Sequence, residues 1–238
     1  MGVFLLAILG AACGAHGHAR GARARPPSRV AMSAKRAMGK PMTPDVESEG
    51  RLLEAISLKK RDMPLVSSLL DTLSGRDGAV EAKALAGGWA LRWVPASAAL
   101  EVLGTGLHTV AGCSFEDFFL SMGKTNKLEA NEVLRVFGPF PSICNRLSGT
   151  YDFDASKGRL RVVYSEMFDG LGKQLAAKDG STQRVVDLTV KYAGPRVLVA
   201  ASGPSVLVFE KIPSIREELV RLRVLNPEPE PDAESKTK

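Results

Sequence analysis

The spacing of apolar positions along the chain changes twice. From residue 45 to 86 it is helical: Leu52, Leu53 and Ile56 form a short stripe after an acidic start at Asp45, Glu47 and Glu49, and Leu65, Val66, Leu69, Leu70 and Leu73 form a second. Pro64 suits the first turn of that second helix, where its missing N–H is not needed; Asp62 stands before it and Ser74-Gly75 closes it. A third short helix is expected from Asp77 to Leu85, stopped by Gly87-Gly88.

From there the period falls to two. Trp89, Leu91 and Trp93 alternate with Ala90, Arg92 and Val94, as in a half-buried strand entered through glycines. Further strands are expected at Leu103–Gly112 and over 131–137, the latter running into Gly138-Pro139-Phe140-Pro141. Leu147–Phe153 and Arg159–Tyr164 flank Asp154-Ala155-Ser156-Lys157-Gly158, the clearest hairpin in the chain. Arg184–Tyr192, Arg196–Ala201 and Val206–Lys211 complete seven or eight short strands with glycine-rich turns, which suggests a barrel or a sandwich. A barrel is preferred because closure removes the exposed strand edges. The period then returns to helical: Pro213 opens an amphipathic segment with Ile212, Ile215, Leu219 and Leu222 on one side. Its acids come early (Glu217, Glu218) and its arginines late (Arg221, Arg223), as the helix dipole favours. The Pro- and Glu-rich stretch from Asn226 to Lys238 is expected to be disordered. The expected organisation is thus a leader (1–44), a helical lead-in (45–86), a β-barrel (87–211), a C-terminal helix (212–225) and a tail (226–238).

Charge changes this picture only at the N-terminus. The net charge of +6 invites a nucleic-acid reading, but residues 1–44 hold seven Lys or Arg and no acid, leaving 25 basic and 26 acidic residues in the body. A neutral body offers no phosphate-binding field. The leader begins with the apolar run Phe4–Ala12, of signal-peptide length and too short to span a bilayer, followed by small residues and an Ala-, Arg-, Gly- and Ser-rich stretch. A signal peptide joined to a transit-like stretch resembles the two-step leaders of plastids wrapped in extra membranes. A plain secretory signal followed by a linker is the other reading.

Polar chemistry is sparse. His16 and His18 belong to the leader, so His108 is the one histidine of the body, and with no CxxC pair a histidine or cysteine metal cluster has no ligands. Cys113 and Cys144 read as buried thiols, with a single bridge as the other possibility. A nucleophile–histidine pair would have to join Cys113 to His108; a structural role for both is the stronger reading. Gly123-Lys124-Thr125 has Phe118 where a phosphate loop needs glycine, and Gly104-Thr105-Gly106 lacks the third glycine of a dinucleotide fingerprint. Asp152 and Asp154 sit at a hairpin shoulder and serve the turn. Glu116-Asp117 reads as the acidic first turn of a helix begun by Ser114, whose apolar face would be Phe115, Phe118, Phe119 and Met122. That face could cap the barrel mouth, touch a lipid surface, or pack on the barrel wall. Gly87-x-Trp89 resembles the glycine–x–tryptophan entry of lipocalin barrels, where the tryptophan plugs the base.

Several of these segments together resemble the plastid lipid-associated proteins, or plastid fibrillins. The resemblance is carried by the leucine-rich lead-in over Leu52–Leu73, by Gly88-Trp89-Ala90-Leu91-Arg92-Trp93, and by Leu147-Ser148-Gly149-Thr150-Tyr151 with Arg159-Leu160-Arg161-Val162. It continues through Leu188-Thr189-Val190-Lys191-Tyr192 to Val208-Phe209-Glu210-Lys211, covering roughly residues 50 to 211. Many members carry acidic residues between that tyrosine and the following arginine, where this chain has Ala193-Gly194-Pro195.

The resemblance implies a mainly β fold, a lipocalin-like antiparallel β-barrel, in a plastid protein at thylakoids or plastoglobules. Such a protein coats or carries prenylquinones, carotenoids and membrane lipids, without catalysis or cofactor. On this reading the partners are a hydrophobic small molecule or lipid and a peripheral membrane or lipid-droplet surface, and the cavity is lined by Trp89, Leu91, Trp93, Tyr151, Phe153, Val162, Tyr164 and Phe209. Two other functions stay open: an enzyme on a hydrophobic substrate using Cys113 or His108, and an interaction scaffold whose barrel is filled solid.

Overall fold

The computed structural model describes residues 44–75, 80–95, 97–137, 142–176 and 183–225. All but the last residue of the expected leader (1–44), the expected tail (226–238) and residues 138–141 lie outside the described residues. Eight strands form a closed, wholly antiparallel barrel in which each pairs with its sequence neighbours and the first closes on the last. They are β1 (Gly87–Trp93), β2 (Cys113–Met122), β3 (Lys127–Val136), β4 (Ile143–Asp154), β5 (Arg159–Phe168), β6 (Arg184–Ala193), β7 (Val197–Ser202) and β8 (Ser205–Ile212). Helices α1 (Pro44–Ser57), α2 (Met63–Ser74) and α3 (Ala82–Leu85) precede the barrel, α4 (Ser97–Leu103) interrupts it after β1, and α5 (Ile215–Arg221) follows it.

Local chemistry explains the strongest elements. Asp62 caps α2 by accepting the Leu65 N–H at 3.2 Å, and Pro64 sits in the first turn. At the β4–β5 turn, Asp154 Oδ1 accepts the Ser156 N–H at 3.0 Å and its hydroxyl at 2.6 Å, while Gly158 supplies the left-handed residue (φ 61°). The Gly123-Lys124-Thr125 triplet lies in the β2–β3 turn, closed by the Gly123 N–H on the Lys127 carbonyl.

Three layers cover the strands. The barrel interior is the main core. The α1–α2 hairpin lays Leu52, Ile56, Val66 and Leu73 on the outer face of β7, β8 and the end of β1, and α5 lays Leu219 over Ala90, Phe119 and Val133 of β1–β3. Each end also receives a plug: Leu85 of α3 at one, Ala99, Leu100 and Leu103 of α4 at the other.

Two expected elements are corrected. Residues 103–112 are not a strand but the end of α4 and a 3-10 turn at Leu107–Thr109, because Gly106 (φ 78°) and Gly112 (φ 86°) take conformations that end extended structure. Residues 114–122 are not a helix but most of β2. The register slips between Phe115 and Asp117, so Phe115 and Phe118, three apart, both turn toward the interior. A bulged strand has imitated helical spacing. The third expected strand begins earlier, at Lys127, and the third helix is confined to 82–85, its expected start at 77–79 lying outside the described residues.

Candidate functional site

The barrel interior is the first place to look for a ligand, and it is full. Trp89, Leu91, Tyr151, Val162, Tyr164 and Phe209 point inward as expected, with Phe153 packed at their edge. Trp89, Tyr164, Phe118, Phe209, Leu120, Met122 and Leu128 are each less than 2% exposed. A void able to hold water beside any of them would leave exposed surface on its wall, so no water-sized void adjoins these side chains. Trp89 is the plug of one end: its Nε1 donates to the Leu85 carbonyl at 2.8 Å, and Lys211 Nζ lies 5.0 Å over its ring. Tyr151 and Phe153 border an open groove of about 490 Å³ at that rim, beside Lys83 and Lys124.

Trp93 departs from the expected cavity set. The β1–β8 register slips between Leu91 and Trp93, which pairs Trp93 with outward-facing Val208 and turns it out under the α1–α2 hairpin. The lid or membrane set is corrected too. Phe118 and Met122 are interior, Phe119 is buried beneath α5, and Phe115 meets the His108 ring edge-on with centroids 6.3 Å apart. None of Phe118, Phe119 and Met122 has surface left for a membrane.

Polar chemistry gathers at the α4 end. Glu132 on β3 and Asn145 on β4 are cross-strand partners facing inward at positions the barrel pattern otherwise gives to apolar residues. Glu132 Oε2 accepts the Thr105 N–H and an Asn145 Nδ2 hydrogen, each at 3.0 Å, and the Thr105 hydroxyl in a short bond. The Asn145 side-chain oxygen, Oδ1, accepts the Gly170 N–H at 3.1 Å. Glu132 Oε1 faces His108 Nδ1 at 3.6 Å; that oxygen and both His108 nitrogens are buried without a hydrogen-bond partner. Gly104 makes the approach possible, since a methyl group there would overlap the Glu132 carboxylate. Arg184, at the start of β6, donates to the carbonyls of Glu101 and Gly104 and so ties down the C-terminal end of α4. Burial pushes the Tyr164 phenol well above its ordinary range; Arg184 opposes the shift and Glu132 adds to it.

A carboxylate beside an imidazole is acid–base equipment, but here it is sealed in. A recess beside them, about 290 Å³, is lined by Thr105, Leu107, Met167, Leu175 and Arg184 among others, and by neither His108 nor Glu132. No hydrogen bond joins Cys113 to His108 among the described residues. In this arrangement these bonds fasten the α4 cap to the barrel.

A second buried carboxylate fastens α1. Glu49 accepts the Tyr192 hydroxyl at 2.7 Å and the Arg196 N–H at 3.2 Å. Burial raises its pKa, against the pull of those two donors. Gly194 again leaves the room: a Cβ there would strike both the Glu49 carboxylate and the Tyr192 ring. Elsewhere Asp117 on β2 is drawn to about 6 by burial, with the Phe118 N–H and Arg92 opposing; it is not the helix-opening acid expected for it. Cys113 and Cys144 are free, half-buried thiols, and burial pushes that of Cys144 up to about 11. No group of three or more metal-ligating side chains occurs among the described residues.

Sequence reasoning passed over Glu132, Asn145, Thr105, Arg184 and Glu49. For Glu132 a signal existed: with β3 started at Lys127, the series Leu128, Ala130, Glu132, Leu134 puts a carboxylate at an inward position. Comparison with protein-family models, curated proteins and solved structures finds no match.

Proposed function

We propose that this protein is a non-catalytic, lipid-associated barrel that works from its outer surface, coating or docking on a lipid phase instead of carrying a molecule inside. The observation that carries the choice of coating over carrying is the filled interior: the inward side chains on which a prenyl or carotenoid cargo would rest already touch one another. The lipid assignment itself rests on the resemblance to plastid lipid-associated proteins over residues 50–211 and on large apolar side chains left exposed, Leu58, Phe137 and Leu171 in connections and Met63 at the start of α2 among them. A plastid location at thylakoids or plastoglobules follows from the same resemblance and from the two-part leader.

The test is to mix the full chain with vesicles made from a plastid lipid and pigment extract, then measure flotation and, separately, the lipids retained after gel filtration. The coating reading expects flotation with no molecule retained in stoichiometric amount. Stoichiometric retention of a prenylquinone or carotenoid would return the protein to the carriers. Neither flotation nor retention would remove the lipid reading and leave the solid-barrel interaction scaffold.

A further inference from the structure

We propose that the α1–α2 connection together with the first turn of α2, Leu58 to Leu65, is an insertion element for anionic lipid bilayers; this rests on the lipid-surface reading above and names the surface that carries it out. The segment reads Leu-Lys-Lys-Arg-Asp-Met-Pro-Leu, and all of its residues are exposed although it joins two helices packed on the barrel.

The two helices have no use for its apolar members. The hairpin buries Leu52, Ile56, Val66, Leu69, Leu70 and Leu73, which exhausts the stripe facing the barrel. Leu58 remains 52% exposed, Met63 46% and Leu65 39%. Leu65 follows the helical spacing of the sequence yet falls outside the buried stripe, so the pattern holds one leucine more than the core can take.

The charges between them point to the partner. Lys59, Lys60 and Arg61 are consecutive, and neither lysine pairs with an acidic side chain among the described residues. The one acid, Asp62, spends its carboxylate on the α2 N-terminus. Arg61 Nε donates to the Ile56 carbonyl at 2.7 Å, which clips the loop to the end of α1. With the cap and the clip fixed, the loop is preformed and loses little freedom on docking. Cations alternating with protruding apolar side chains match a bilayer interface, where Leu and Met enter the acyl boundary while Lys and Arg stay at anionic headgroups. A protein groove would call for a buried anchor and a matched acid. A neutral lipid surface would leave the three cations without a counterpart.

The test uses the full chain with Leu58→Trp, and separately with Leu171→Trp at the β5 end of the barrel, against vesicles of phosphatidylcholine with and without phosphatidylglycerol, their acyl chains brominated to quench tryptophan on contact. Native Trp89 and Trp93 are buried and give a constant background. The expected result is quenching of Leu58→Trp in the anionic vesicles, little in the neutral ones, and none at Leu171→Trp. Adding Lys59→Gln and Lys60→Gln should weaken the partition reported by that quenching by on the order of 30-fold, the loss for two interfacial lysines. Because the basic leader is present in every variant, differences between them belong to the loop. If the chain floats with vesicles but the quenching appears at Leu171→Trp, or ignores phosphatidylglycerol, this inference falls while the lipid-surface reading stands. If the chain floats with no vesicle, both fall.

Discussion

Glu132 Oε1 and His108 Nδ1 meet at 3.6 Å beneath the α4 cap, and neither atom has a hydrogen-bond partner. The Oε2 atom of the same carboxylate accepts three bonds from Thr105 and Asn145, so one oxygen holds the cap while the other faces an imidazole. Leaving buried polar atoms unpaired costs about 1–3 kcal/mol each. The cap is accordingly a less secure closure than the Trp89 end, where the buried indole N–H has its acceptor.

Gly104 is the position that makes this contact possible, and its substitution tests the arrangement. Gly104→Ala should lower unfolding free energy by about 1–3 kcal/mol, the range for forcing extra volume into a packed site. Urea denaturation of the full chain measures it. In a Glu132→Ala background the same substitution should cost clearly less, because the carboxylate it strikes has gone. Equal costs in the two backgrounds would show that the glycine serves some other need.

Gly149 tests the barrel wall. The β4–β5 register slips between Ser148 and Gly149, and a Cβ at Gly149 would run into the Val163 carbonyl of the paired strand. Backbone cannot yield as a side chain end can. Gly149→Ala should therefore destabilise by about 3 kcal/mol or more, at or beyond the top of the overpacking range. A melting temperature unchanged within error would refute the close approach.

Trp93 separates the two sides of β1. Trp93→Ala should cost about 3–5 kcal/mol, as for large aromatics removed from a core, but the loss should fall on the α1–α2 hairpin. Limited proteolysis is the measurement, with early cleavage expected after Lys59, Lys60 or Arg61 while the barrel fragment stays resistant. Trp89→Ala, by contrast, empties the plug of the barrel and should expose the strands to the protease. Identical digestion patterns for the two variants would contradict their placement on opposite faces.

Asp117 predicts a pH dependence. Burial holds its carboxyl at about 6, above its ordinary 3.8, so the proton is bound more tightly in the folded chain than in the unfolded one. Its contribution to stability is full below the unfolded value and is lost as pH rises through about 6. Asp117→Asn abolishes that titration. Between pH 4 and pH 7 the wild type should lose on the order of 2 kcal/mol relative to the variant, read from denaturation midpoints at each pH. Parallel pH profiles would place Asp117 in water.

Much of the architecture is determined locally and was legible in the sequence. Pro64 behind Asp62, the Asp154–Gly158 turn and the acid-to-arginine order of the last helix each act through bonds spanning a few residues. Alternation also placed six of the eight expected cavity residues inside and a seventh at the edge of the core. Tertiary structure decided the rest. One-residue bulges turned Trp93 outward and gave β2 a false helical spacing, and a bulge arises from how one strand fits its paired strand, not from the bulged strand's own residues. Whether the interior is a cavity or a core depends on side-chain volumes summed over eight strands and two plugs, which no window of sequence contains. The buried carboxylates lay beyond local reading for the same reason: Glu132 meets Thr105 and Glu49 meets Tyr192 only because the barrel has closed, 27 and 143 residues apart along the chain.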